Sequence, residues 1–180
     1  SWMSGTATTV SGIRHVPNMP TEEVFTSPDR GRAQGVVRAT LPLNVGGAMV
    51  HDLELHFEEG SIVEVRASAG KAIVEQQLAT DEGARHLGEI ALVDGQSAVR
   101  RTGIVFLDTL FDENATCHIA FGAGLPDTLG RAVSTDELLE AGLNVSAIHT
   151  DFMVGGEDVD VAGLDDAGAA TSIILGAACA

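Results

Sequence analysis

Leu53-Glu54-Leu55-His56-Phe57 alternates apolar and polar side chains, and Ile62-Val63-Glu64-Val65-Arg66-Ala67 is a second β-rich run with partial alternation. The turn-rich link Glu58-Glu59-Gly60-Ser61 joins them. A period of two places alternate side chains on one face, so two such runs around a short polar link predict a β-hairpin. Val36 to Leu43 reads as a further β-branched strand, ended at Pro42. Ile90 to Val93 and Ile104 to Leu107 are short apolar runs with the look of buried strands, and Val145 to Phe152 and Val159 to Val161 read as strands again. The opening Thr6-Ala7-Thr8-Thr9-Val10 has the same character, and the Gly/Asp-rich stretch from Gly155 to Gly168 keeps strand-like pieces between turns.

Helix signals are fewer and shorter. Ala69 to Leu78 carries helix formers with Ile73, Val74 and Leu78 at amphipathic spacing. Asp81 is placed to cap a second short helix running through His86. Thr135 to Ala141 reads as a third, with Ser134 or Thr135 as its cap and Gly142 as its stop. Helices do not follow every strand, which disfavours a doubly wound parallel sheet. The expectation is one α+β domain over residues 1–180, with mostly antiparallel or mixed sheets and a few short helices.

Composition narrows the function classes. A chain of 180 residues can bury a real core, and 44% hydrophobic residues argue against a disordered acidic tail. The formal charge of −16 argues against nucleic-acid binding, because phosphate would be repelled. Cys117 and Cys179 cannot supply a disulfide framework or a Cys-based zinc site, so reduced thiols and a cytoplasmic setting are expected. No stretch approaches the ~18 consecutive apolar residues of a membrane span, and Ser1-Trp2-Met3-Ser4-Gly5 lacks the basic-then-apolar pattern of a signal peptide. Lys71 is the one lysine, and the chain contains no tyrosine.

Four segments carry chemistry. In an extended His149-Thr150-Asp151 the first and third side chains share a face, so an imidazole and a carboxylate can meet one cation of the zinc, cobalt, manganese or ferrous class. Such a pair alone is more often two surface polar residues, but here Ile148 and Phe152-Met153-Val154 flank it. Asp108, Asp112, Glu113 and His118 crowd another apolar neighbourhood, where a solvated turn and an ordinary core histidine fit the local pattern equally well. Glu89 precedes the apolar Ile90-Ala91-Leu92, and Glu22-Glu23 lies between prolines in an extended or turn segment. Two histidines and several carboxylates of this kind could hold two divalent cations about 3.5–4 Å apart, joined by a bridging carboxylate.

These segments resemble the M29 family of metallo-aminopeptidases. The matching runs are Asn18-Met19-Pro20-Thr21-Glu22-Glu23-Val24-Phe25-Thr26-Ser27-Pro28, Thr80-Asp81-Glu82-Gly83-Ala84-Arg85-His86-Leu87-Gly88-Glu89, Asp112-Glu113-Asn114-Ala115-Thr116-Cys117-His118-Ile119-Ala120 and His149-Thr150-Asp151-Phe152-Met153. They occur in the family's order and at similar spacing, from about Gly5 to near the C-terminus. The resemblance implies a cocatalytic pair of divalent metals (zinc, cobalt or manganese), a peptide substrate and a homodimer. By position it makes Glu23, Glu89, His118, His149 and Asp151 the metal-site residues, with Glu113 a further carboxylate of the site. Spacing to Glu89 favours Glu23 over Glu22, and Glu89 is the carboxylate expected to bridge the metals or act as general base.

Two departures from the family stand out. The family tyrosine seven residues after the histidine matching His118 is Leu125 here, which cannot donate a hydrogen bond to a developing oxyanion. His15, His51, His56 and His86 are the candidate replacement donors. Family members are also longer, with an additional N-terminal domain, so the resemblance is to the C-terminal, metal-binding catalytic part of a two-domain enzyme. Two alternatives remain at this point. A ring-opening dioxygenase of dihydroxypyridines is built on a similar domain and would use His118, His149 and Asp151 around one ferrous ion, although Glu23 and Glu89 favour the two-metal hydrolase. A metal-binding domain that has lost turnover is the other.

Overall fold

Glu54–Glu58 and Ser61–Arg66 form the expected hairpin, with Glu58 opposite Ser61. The computed structural model describes residues 1–130, 134–176 and 178–179. Glu59 and Gly60 make the two-residue turn, both with positive φ (48° and 83°), as a twisted hairpin turn requires. A Cβ on Gly60 would lie 2.0 Å from the Arg30 carbonyl oxygen, so the position admits no side chain. Gly35–Arg38 adds a third antiparallel strand beside Glu54–Glu58. The longer strand expected over Val36 to Leu43 therefore stops at Arg38. Leu43–Val45 instead pairs with Ala48–Val50 in a separate small hairpin on the far side of Pro42, which has no N–H to give a ladder.

The site rests on a five-stranded antiparallel sheet, in the order Met3–Ser4, Glu23–Thr26, Leu87–Val93, His118–Gly122, His149–Met153. Its register divides the side chains cleanly. Ile90, Ile119, Phe121 and Phe152 turn to one face and pack with Leu55, Phe57, Ile62 and Val65 of the hairpin sheet. Helix Lys71–Leu78 closes this core with Val74 and Leu78, four residues apart and both buried. Phe121 and Phe152 meet at a centroid distance of 6.2 Å in a tilted pair. The other face carries Glu23, Glu89, His118, His149 and Asp151.

Elsewhere the elements are short. Thr135–Glu140 is a helix with a reciprocal cap: Ser134 Oγ accepts from the Glu137 N–H, and Glu137 reaches back to the Ser134 N–H. The helix expected after Asp81 is a single 3-10 turn, Gly83–Arg85, whose Ala84 N–H Asp81 accepts at 2.8 Å. Asp81 also accepts from Ser146 Oγ and the Ala147 N–H, at 2.8 and 2.7 Å. Those groups cannot then join a ladder, and the strand expected from Val145 begins only at His149. Ala7–Thr8 pairs with Arg14–His15, and Val161–Leu164, Ala170–Leu175 and Ala178–Cys179 form an outlying antiparallel sheet, so the strand expected over Val159 to Val161 starts at its last residue. Cys117 is a free buried thiol, and the Cys179 side chain lies outside the described ones.

Ile104 to Leu107 is not a buried strand. It is an exposed loop bracketed by left-handed Gly103 (φ 66°) and Leu107 (φ 56°), which interrupt an extended run. Buried Asp112 holds the loop by accepting the Phe106 N–H at 2.8 Å, and Phe106 stacks on Phe111. Among the described residues, no helix is long and apolar enough to cross a membrane.

Phe152 is fully buried directly behind Asp151. Phe152→Ala should cost about 3–5 kcal/mol of stability through lost burial and the cavity left behind. Urea unfolding of the metal-free protein measures it as a lower midpoint.

Candidate metal centre

Four adjacent strands bring the chemistry together. Ala120, in His118–Gly122, pairs with Glu89 on one side and Asp151 on the other, so two carboxylates flank a methyl group. His118 lies two residues back on the same face and is fully buried, while His149 stands opposite Gly122. Ala91, Ala120 and Gly122 are small, which leaves a hollow over the sheet for the longer side chains. Gly122 (φ 104°) tolerates no larger residue, because a Cβ there would meet the Ile148 carbonyl oxygen at 2.2 Å. Glu113 comes from outside the sheet, at the end of helix Thr109–Glu113.

The donor atoms converge on Glu89. Its Oε1 is 3.9 Å from His118 Nε2, and its Oε2 is 3.1 Å from His149 Nε2. Glu23 Oε2 lies 3.1 Å from His118 Nε2, and Asp151 Oδ1 lies 3.3 Å from His149 Nε2. His149 Nδ1 is 2.7 Å from the Ala123 carbonyl oxygen, so Nδ1–H donates there and Nε2 is the nitrogen turned to the carboxylates, with a proton in the imidazolium and a lone pair in the neutral ring. His118 Nδ1 sits 3.4 Å from the Thr116 carbonyl oxygen in the same sense. Ligand atoms lie within 4.8 Å of one another in three groups: Glu23, Glu89 and His118; Glu89, His149 and Asp151; Glu113, His118 and Asp151. The first two share Glu89 and nothing else.

Glu23 Oε2 is buried and accepts no hydrogen bond, although His118 Nε2 is close by. Two lone-pair donors that approach without aligning on each other fit a cation between them better than a hydrogen bond. Imidazole nitrogens mixed with carboxylate oxygens suit a borderline divalent ion.

Without a cation the cluster holds protons instead. Burial, then the neighbouring Asp151 charge, pushes the Glu113 carboxyl up to about 8, against the opposing pull of His118. Burial disfavours charge on His118, but the Glu23 contact and the charges of Asp151, Glu23 and Glu89 outweigh it and raise the imidazole to about 9. Burial likewise opposes charge on His149, and its contacts with Asp151 and Glu89 carry it up to about 11.

The structure thus gathers Glu23, Glu89, Glu113, His118, His149 and Asp151 around one cleft of about 510 Å³. Glu22 faces away, with its Oε2 accepting the Ala98 N–H at 2.7 Å. Asp108 is exposed, and Asp112 serves the loop before it. None of His15, His51, His56 and His86 lines the cleft; His86 Nδ1 is held 3.0 Å from the carbonyl oxygens of both Arg30 and Gly60. Leu125 does line it, beside Phe25, Thr21 and Asn18. Asp127 and the edge strand Met3–Ser4 also form its wall. No residue type or spacing marked them: Met3–Ser4 arrives by pairing with Glu23–Thr26, and Asp127 in the 3-10 turn Pro126–Leu129 that follows His118–Gly122.

The model of the thermophilic metalloprotease (M29) family matches residues 1–176. The chain belongs to the M29 family. Aminopeptidase T of Thermus thermophilus is 47% identical over 173 residues, which is 96% of this chain and 42% of that protein. Aminopeptidase 2 of Geobacillus stearothermophilus is 44% identical over 91% of this chain and 40% of its own length. The solved structure of wild-type AmpT from Thermus thermophilus superimposes with a TM-score of 0.91 at 44% identity, covering 99% of this chain and 44% of that one. The chain therefore spans less than half the length of these M29 relatives.

The protons held at the centre give the metal-free protein a pH signature. His118 and His149 titrate higher in the folded state than their ordinary 6.5, so their stabilisation is complete below that value and is lost as pH rises toward about 9 and about 11. Glu113 adds to the same trend, since its protonated form is favoured between 4.5 and about 8. The melting temperature of the metal-free protein should fall steadily from about pH 5 to 11. Excess zinc or cobalt should remove that decline, because ligands bind a cation only when deprotonated. Calorimetry across this range, with and without the ion, measures both.

Proposed function

We propose that this chain is the metal-binding catalytic part of a metallo-aminopeptidase that removes the N-terminal residue of peptides with a cocatalytic metal pair. The observation that carries the reading is Glu89, which offers one oxygen toward each histidine and belongs to two otherwise separate ligand groups. Glu23, Glu89 and His118 would hold one ion, and Glu89, His149 and Asp151 the other, with Glu113 beside His118 and Asp151. Zinc, cobalt and manganese all suit this donor set. Bound there, such ions supply Lewis acidity toward a scissile carbonyl and lower the pKa of a coordinated water.

The side chains do the rest. Ala123 holds the His149 ring through Nδ1, so its orientation is fixed before any ligand arrives. Glu89 keeps a carboxylate between the two ligand groups, where it would either bridge two ions or, with an oxygen left free, take a proton from an attacking water. Carboxylates of the cleft, Asp127 among them, attract the free ammonium of a peptide N-terminus. Phe25 and Leu125 offer apolar wall, and Leu125 has no proton to give an oxyanion.

The ferrous dioxygenase reading needs His118, His149 and Asp151 about one point. None of the three ligand groups holds both histidines: His118 lies with Glu23 and Glu89 in one and with Glu113 and Asp151 in another, while His149 lies with Glu89 and Asp151, which supports the metal pair over the single ion.

The test is hydrolysis of amino-acid anilides by metal-replete protein, alongside metal analysis. The wild type should bind two ions and cleave. His149→Ala should lose one ion and lower turnover by more than the roughly 10–100-fold typical of losing an outer partner. Equal activity in wild type and variant would sink the hydrolase assignment, and two bound ions with no turnover would leave the metal-binding domain. In a separate experiment, Leu125→Tyr should raise kcat by up to ~10²-fold with little change in KM, since it adds a donor felt in the transition state.

A further inference from the structure

We propose that Asn114 is a positioning residue that sets the Glu23 and Glu113 carboxylates against each other. The inference rests on the metal-pair reading above. Asn114 follows Glu113 directly, at the end of helix Thr109–Glu113, and is completely buried. Its Nδ2 donates to the Leu110 carbonyl oxygen at 2.9 Å, closing the last turn of the helix that carries Glu113. Its Oδ1 accepts the Glu22 N–H at 2.6 Å, from the residue just before Glu23. One side-chain amide thus joins two carboxylate-bearing segments 92 positions apart.

Neither segment fixes itself. A five-residue helix is far below the length that is stable alone, and Glu23 is the first residue of a four-residue strand. Glu22 adds a second tether, because its Oε2 accepts the Ala98 N–H at 2.7 Å. The Glu22 residue is therefore held through its N–H from one side and through its side chain from the other, leaving Glu23 to face the cleft. A buried amide is costly unless both ends are bonded, and here both bonds run to the segments that bear the carboxylates. The two requirements, a donor for Leu110 and an acceptor for Glu22, are met together by an amide. A carboxylate at position 114 would have no proton for Leu110, and an aliphatic side chain would serve neither partner.

This role is selective. Glu23 and Glu113 each share a ligand group with His118; Glu89, His149 and Asp151 form a group containing neither, and only Asp151 of that group also meets Glu113. Loosening Asn114 should weaken the ion on the His118 side more than the other.

The experiment is titration of the metal-free chain with cobalt(II), following stoichiometry, stepwise affinity and the visible absorption of each bound ion. Wild type should take up two ions. In Asn114→Ala one step should weaken at least about tenfold, with an altered absorption band, while the other stays within about twofold. Glu22→Ala, an exposed change, should shift the same step in the same direction by less. Two unchanged steps in Asn114→Ala, or two steps weakened equally, would overturn the assignment. If Asn114→Ala does not fold, Asn114→Asp decides, since it keeps an acceptor for the Glu22 N–H and loses the donor to Leu110: a selective loss supports the role and wild-type affinities overturn it. Wild type binding fewer than two ions would mean that the metal-pair reading itself had failed, and this role with it.

Discussion

A slip of one residue between Leu87–Val93 and His118–Gly122 would send Glu89 into the apolar core and Ile90 into the cleft. The site depends on that register. The core protects it, because Ile90, Ile119, Phe121 and Phe152 all gain burial only in the observed alignment. The same alternation that fills the interior therefore delivers Glu89, His118 and Asp151 to the opposite face. Packing on one side of the sheet sets the chemistry on the other.

That arrangement carries an electrostatic burden. Buried carboxylates and imidazoles are tolerated when they are paired or neutralised; burial and then nearby carboxylates shift Glu113 toward its protonated form, and nearby carboxylates do so for His118 and His149 against their burial. The protein has little cationic resource of its own to spare: ten lysines and arginines stand against 26 acidic residues, and the described salt bridges of Arg38 and Arg66 lie in the hairpin sheet, away from the cleft. Protons or external cations are what remain to neutralise the centre.

Local signals were legible and non-local ones were not. The hairpin around Glu59-Gly60 and the cap at Ser134 are written within a few neighbouring residues, and both appear as read. Ile104 to Leu107 has the composition of a buried strand, yet a short apolar run does not encode whether anything pairs with it. The end of Val36 to Leu43 and the late start at His149 likewise depend on partners far along the chain, Asp81 in the second case. The carboxylates and histidines of the cleft were visible as types and, through family resemblance, as candidate positions. Their convergence needed the strand order, and the amide of Asn114 gave no signal because its partners lie on a different segment. Met3–Ser4 reaches the cleft for the same reason.

The strand order has a kinetic consequence. The donors run from Glu23 to Asp151, and His149–Met153 is the sheet's last strand in sequence as well as its edge in space. Pairings between segments so distant are slow to form, since loop closure must precede any gain from contact. A chain still being synthesised offers only part of the donor set until residue 151 has emerged. The complete centre is thus a late product of folding, and any ion held there would report that the four donor-bearing strands have paired.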